Sequence, residues 1–481
     1  MSKPLEFDIC VIGAGAAGLS IAAGASQLGA RTALIEAGEM GGDCLNVGCV
    51  PSKALLAAAK AAHSGAEAAK FGITYTKPEV DFAGVMAHVK DVIAGIAPVD
   101  SQERFEGLGV TVIREWARFV DKDRVVAGEQ EITAKRFVIA TGSKPMVPPI
   151  EGLADVPFLT NETLFDLQEQ PEHLIVMGGG PIGCELSQAF ARLGTQVSIV
   201  EMASLLPKDD PEAADVVRQS LRKDGVFLHE GAKVTRVSSP VESPFKNGGV
   251  TVEVERQDGA TEQLQGSHLL VAAGRTPSIQ GLDLEKAGVE FHRAGVKVDA
   301  GLRTSNRKIY AVGDVAGGPQ FTHVASYHAS LFIRSFLFRL PARTDYSALP
   351  WVTYSDPELA HVGLTEKMAD DQGLTVQVLR WPFAENDRAQ SERQTAGLLK
   401  AITTPKGRIL GCTIVGAHAG EAIYPWVLAL HKKLSVKDMV GMIAPYPTFG
   451  EVTKRATGSY YTPKLFSERT KWLVRLLLKL G

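Results

Sequence analysis

Four landmarks near the start of this chain return, in step, near its middle. Gly13, Gly15 and Gly18 of FDICVIGAGAAGLS recur as Gly178, Gly180 and Gly183 of HLIVMGGGPIGCELS, and Glu36 recurs as Glu201, each displaced by 165 residues. In both copies an apolar run enters the glycines and a second apolar run ends at the acid, the pattern of strand, tight turn, helix and strand. The first glycine makes the turn, the second lets backbone approach a pyrophosphate, and the third lets helix and strand pack closely. The helix N-terminus then offers unpaired N–H groups and partial positive charge to phosphate, while the acid suits a ribose diol. One such triplet is weak evidence. Two in register imply an α/β chain with two dinucleotide sites.

GGDCLNVGCVPSK sets Cys44 and Cys49 in a glycine-lined loop, in a chain of 481 residues with only five cysteines. The pair reads as part of a zinc site, as a structural staple or as a redox centre. No second CxxC or HxxxH pair completes a zinc site, so no metal is expected. The N-terminus lacks a basic-then-apolar export signal, which points to a reducing cytoplasm where staples are rare. Cys10, Cys184 and Cys412 sit in apolar runs and read as core residues. The net charge of −3, with no basic stripe, argues against nucleic acid. No unbroken run of about 18 apolar residues is seen, so no membrane span is expected.

Three more strand ends carry small-residue turns: FVIATGSKP with Thr141 and Gly142, LLVAAGRTP with Gly274 and Arg275, and RKIYAVGDVAGG with Gly313 and Asp314. Asp314 reads either as a ligand for a polyol such as a ribityl chain or as a turn aspartate.

Taken in order, these motifs resemble those of the class I pyridine nucleotide-disulfide oxidoreductases, which include dihydrolipoamide dehydrogenase, glutathione reductase and mercuric reductase. The resemblance implies two Rossmann-type dinucleotide-binding domains and a C-terminal α+β dimerisation domain. FAD is expected in residues 1–149 and 276–345, NAD in 150–275, and the interface of a homodimer in 346–481. It implies a redox-active Cys44–Cys49 disulfide beside the flavin, with Cys49 as the thiolate facing it and Cys44 exchanging with substrate. Lys53, paired with Glu185, is expected near the flavin ring. The glycines and acids of both loops, with Gly42, Lys53, Thr141, Gly142, Gly274, Arg275, Gly313 and Asp314, are the expected cofactor-binding residues.

Four features depart from that pattern or refine it. Tyr446 in APYPTFGEV holds the place of the family's acid/base histidine, while Pro447, Thr448 and Glu451 remain. Tyrosine titrates near 10 and is a poor base at neutral pH, so weak dihydrolipoamide dehydrogenase activity is expected. The run resembles A-P-Y-x-T-x-x-E of mercuric reductase, yet the tail lacks that enzyme's cysteine pair. Glu201 favours NADH over NADPH, since a carboxylate repels a 2′-phosphate. Asp43 replaces the usual threonine and is expected to raise the Cys44 pKa unless a cation compensates. The tail FSERTKWLVRLLLKLG spaces Lys471, Arg475 and Lys479 as a basic amphipathic helix, suited to an anionic membrane or a neighbouring surface. The leading expectation is an NADH-dependent flavoprotein passing electrons through Cys44–Cys49 to a small-molecule or protein disulfide or another acceptor. Alternatives are a mercuric or soft-metal reductase, a quinone or oxygen reductase, and a redox-sensing or membrane-docked flavoprotein.

Overall fold

A computed structural model of the chain describes residues 3–240, 242–246 and 248–480. Residues 1 and 2 of the first expected domain, 241 and 247 of the second and 481 of the third lie outside that description.

The first sheet orders the strands Thr111–Ile113, Thr32–Ile35, Leu5–Ile12 and Gln130–Ile139 in parallel. Gln130–Ile139 is long enough to be shared. Its first half pairs with the hairpin Ala117–Asp121 and Arg124–Ala127, and its last residues pair in parallel with Ile309–Ala311. The chain therefore leaves this sheet and returns to it. Cys10, Val11 and Ile12 and all of Thr32–Ile35 are buried, as strands covered on both faces must be.

Between departure and return lies the second unit, with parallel strands in the order Phe227–Glu230, Gln196–Glu201, His173–Met177, His268–Val271. A three-stranded antiparallel sheet, Ala232–Ser238, Val250–Arg256 and Thr261–Gly266, covers one side. Outgoing and returning chains touch at a short antiparallel connector, Ser143–Pro145 with Arg275–Pro277. A third, five-stranded antiparallel sheet runs Pro350–Thr353, Glu358–Gly363, Ile409–Gly416, Leu398–Thr403, Gln377–Pro382. Cys10, Cys184 and Cys412 are fully buried core residues.

Helix Cys49–His63 packs Ala54, Leu55 and Ala59 into one core with Cys184, Leu186, Ala189 and Phe190 of helix Pro181–Leu193. The helix that Cys49 opens is thereby packed against the helix that follows the second glycine loop. By length and composition the run Phe82–Gly107 is apolar enough to cross a membrane, with a hydropathy of 1.4, which corrects the expectation of no such segment. Lys90 and Asp91 interrupt it, its helix ends at Asp100, and Phe82, Met86 and Val89 pack into the core, so the run does not need lipid to bury that face. The C-terminal helix Glu468–Leu477 forms over the expected stretch and buries none of its residues.

Candidate active site

The 165-residue register survives as atomic detail. Gly13 N–H donates to Ile35 O at 2.8 Å and Gly178 N–H to Val200 O at 2.9 Å. Both acids turn back onto their own loops. Glu36 accepts from Ala14 N–H at 2.6 Å and Gly38 N–H at 2.7 Å, and Glu201 from Gly179 N–H at 2.7 Å and Ala203 N–H at 2.9 Å. A Cβ on Gly18 would stand 1.8 Å from Gly13 O, and one on Gly183 1.9 Å from Gly178 O. Gly15 and Gly180 differ: a Cβ there would meet nothing within 4 Å. Each caps a helix, Ala16–Gln27 or Pro181–Leu193. That open space at a helix N-terminus fits a pyrophosphate.

The cysteine loop rests on the first of these glycine loops. Gly42 lies so close to Gly15 that an added Cβ would reach its Cα at 2.7 Å, and from Gly42 a short helix carries Cys44 to Asn46. Cys49 opens helix Cys49–His63, and its Sγ lies 3.5 Å from the hydroxyl of Thr322, which opens helix Thr322–Phe336. Both cysteines are free thiols, and each is the first influence on the other's ionisation. Cys49, with burial behind it, pushes the Cys44 thiol well up. Cys44 in turn brings Cys49 down to about 6, with Thr322 and the Lys53 charge assisting against burial. Two helix N-termini and a cation thus favour a thiolate at Cys49 while Cys44 keeps its proton.

Lys53, one turn beyond Cys49, donates to Glu185 Oε2 at 2.8 Å. Glu185 is buried, and its Oε1 accepts the Tyr354 N–H at 2.9 Å. The Lys53 ammonium also sits 4.4 Å from the centre of the Tyr354 ring. The pair is a built contact between three parts of the chain, not a loose surface ion pair.

Asp314 is the hidden end of another chain of bonds. Ser143 donates to Asp314 Oδ2 at 2.6 Å and accepts from Arg275 Nε at 2.8 Å. Burial raises the Asp314 pKa. Arg275 reaches on to Asp43 Oδ1 at 2.8 Å. The Asp43 charge raises the Cys44 thiol in the expected direction, but as the last of the named causes, and Arg275 is the cation set against it. Thr141 donates to Ser278 O at 2.6 Å, closing its turn on the returning chain, and Gly142, Gly274 and Gly313 all hold positive φ. Gly313 N–H donates to the buried His328.

Tyr446 and Glu451 stand apart. Tyr446 is 66% exposed and donates to Asp387 Oδ2 at 2.9 Å, a bond that raises its pKa. Glu451 is buried and holds Arg455 at 3.0 Å. Among the described residues neither bonds a cysteine or Lys53 within the chain. Thr322, Tyr354, Ser143 and Asn161 were not foreseen. For Thr322 a signal existed, a threonine opening an apolar helical run. The others carry no motif.

The pyridine nucleotide-disulphide oxidoreductase family matches residues 7–329, and its dimerisation domain matches residues 349–457. The chain is 36% identical to a mercuric reductase of Lysinibacillus sphaericus over 94% of its own length and 82% of that protein. It is also 36% identical to a dihydrolipoyl dehydrogenase of Bacillus subtilis, over 94% of this chain and 96% of the other. Among solved structures it is similar to the HOCl-induced flavoprotein disulfide reductase RclA of Escherichia coli. The TM-score is 0.82 and the identity 30%, covering 94% of this chain and 99% of that one, and the Cu(II) complex of RclA matches equally.

Proposed function

The chain belongs to the pyridine nucleotide-disulphide oxidoreductase family, and from that premise we propose that NADH is its reductant and that Cys44 hands electrons to an acceptor other than lipoamide. It is an FAD-dependent NAD(P)H disulfide oxidoreductase, and its dimerisation domain supports a homodimer. FAD, when bound, carries two electrons from nicotinamide to the sulfur pair. The balance is NADH and one proton with the Cys44–Cys49 disulfide, giving NAD⁺ and two thiols. Cys44 then attacks an acceptor disulfide, expelling one thiol, and Cys49 displaces the second as the pair re-forms.

The placement of Cys49 carries this reading: it opens a helix, its Sγ lies 3.5 Å from the Thr322 hydroxyl and Lys53 stands one turn on, surroundings that favour a thiolate there. Glu201 supports NADH, and Arg218 and Arg222 are turned onto Glu230 at 2.8 and 3.8 Å rather than left for a 2′-phosphate. Tyr446, its phenol tied to Asp387, supports an acceptor that needs no acid/base histidine. A second reading follows from the same residue. A thiophilic cation such as the soft Hg²⁺ takes two thiolates and no proton donor, and relatives include mercuric reductases and a reductase seen with Cu(II).

The test is anaerobic NADH titration followed by a screen of disulfide, quinone and metal acceptors. Cys44→Ser should still be reduced at the flavin by NADH yet lose acceptor turnover. Tyr446→His should raise dihydrolipoamide oxidation by about tenfold or more. A native protein that already matches Tyr446→His with dihydrolipoamide defeats the proposal. We place the enzyme in the cytoplasm, with domains 1–149 plus 276–345, 150–275 and 346–481. A peripheral contact of residues 467–481 with anionic lipid is supported by the unburied helix and its three spaced cations, and vesicle co-sedimentation with and without that tail tests it.

A further inference from the structure

A carboxylate beside a thiol that must ionise works against the chemistry, yet Asp43 sits next to Cys44. Its surroundings give it another task. Asp43 Oδ1 accepts from Arg275 Nη2 at 2.8 Å and from Asn161 Nδ2 at 3.1 Å. The same Asn161 nitrogen donates to Val47 O at 3.0 Å, so one side chain holds both ends of the cysteine loop. Arg275 belongs to the connector strand and is bonded to Ser143 through both its Nε and Nη2. Asn161 opens a helical turn of the second nucleotide unit. Arg275 is only 14% exposed, which makes this pair costly to break from one side. Behind Asp43 the loop is closed tightly: a Cβ on Gly48 would lie 2.7 Å from Asp43 Oδ2 and 2.8 Å from Asp43 O. Gly48 caps the helix that begins at Cys49. Any shift of Asp43 is therefore felt at both sulfurs.

We propose that Asp43 is a positioning residue, an acidic tether that holds Cys44 against Cys49 by fastening the cysteine loop to the connector between the two nucleotide units. This rests on the redox role given above to Cys44–Cys49. The tether and the bare charge have opposite signs at Cys49. The groups acting on that sulfur are Cys44, Thr322, Lys53 and Asp43. As a charge alone, Asp43 opposes the thiolate, so its removal would make Cys49 more acidic. As a tether, its removal loosens Cys44 from Cys49, the neighbour that most favours that thiolate, and makes Cys49 less acidic.

The experiment follows iodoacetamide alkylation of the Cys49 peptide against pH, by mass spectrometry, on the full-length, flavin-loaded, dithiothreitol-reduced protein. Asp43→Ala, which removes the accepting oxygen as well as the charge, should slow alkylation at pH 6 by about fivefold, the effect of a midpoint about one unit higher. Arg275→Gln should act in the same direction, and the double variant should be no worse than either single, since the two act as a unit. Asn161→Ala, which removes only the neutral partner, should give a smaller fall and serves if the Asp43 variants do not accumulate folded. Unchanged or faster alkylation in Asp43→Ala, or strictly additive losses, overturns the tether. A native protein with no acidic Cys49 defeats the redox reading itself, a different and separately visible failure.

Discussion

The two nucleotide units agree past their acids and then part. Gly41 N–H donates to Ala14 O at 3.0 Å, and Leu206 N–H, still 165 residues on, donates to Gly179 O at 2.9 Å. Even the left-handed turn is shared, with φ of +91° at Gly41 and +49° at Leu206. Beyond it, the first unit starts the short helix that carries Cys44. The second runs to Asp209, which accepts the Trp351 indole N–H at 2.7 Å, and to Asp210, which caps helix Pro211–Lys223 and holds Lys400 at 2.8 Å. One backbone turn thus leads to the cysteine loop in one unit and to a clasp onto the third sheet in the other. The scaffold is common, and the chemistry lies in the first residues after it.

The sharpest way to break this comparison is to spoil both loops alike. Gly18→Ala and Gly183→Ala each drive a methyl into a carbonyl oxygen, at 1.8 and 1.9 Å, so their local steric cost should match. The consequences should not. Gly18→Ala should yield protein that has lost flavin, read from its visible spectrum, while Gly183→Ala should keep flavin but lose its reduction by NADH. Flavin loss in both would mean that the units do not act separately.

A smaller effect separates the acids. Glu201→Gln removes a negative charge near the expected 2′ position and should raise the NADPH-to-NADH ratio of kcat/KM by about tenfold, equivalent to roughly 1.4 kcal/mol. Glu36→Gln, the same change in the other unit, should leave that ratio alone. Equal shifts in both would remove the assignment of the second loop to nicotinamide.

What was legible follows from which constraints are local. The glycine triplets announce themselves because backbone contact at Gly18 and Gly183 excludes every other residue. The strands at Cys10–Ile12 and His173–Met177 read correctly because burial on both faces demands unbroken apolar runs. Asp43 was legible as a charge that raises Cys44 but not as half of an ion pair, because its partner Arg275 lies 232 positions away and adjacency says nothing of it. Tyr354 was invisible for a related reason: its contribution to Glu185 is a backbone N–H, which any residue supplies. The run Phe82–Gly107 was missed because Lys90 and Asp91 hide a high average hydropathy from a search for unbroken apolar residues.

The gentlest probe returns to the residue that follows the shared turn in the second unit. Burial raises the Asp209 carboxyl to about 6, against the Trp351 hydrogen bond, which lowers it. A carboxyl whose folded pKa exceeds its unfolded value near 3.9 adds stability below about pH 4 and loses it as pH rises through about 6. At pH 7.5 the buried charge should therefore cost the fold about 1–2 kcal/mol, allowing for its partial exposure. Asp209→Asn keeps an oxygen for the indole and removes the charge. It should raise the urea midpoint at pH 7.5 and leave it unchanged at pH 4. A variant less stable than the native chain at pH 7.5 would show that the charge itself holds the clasp, through the neighbouring Lys208.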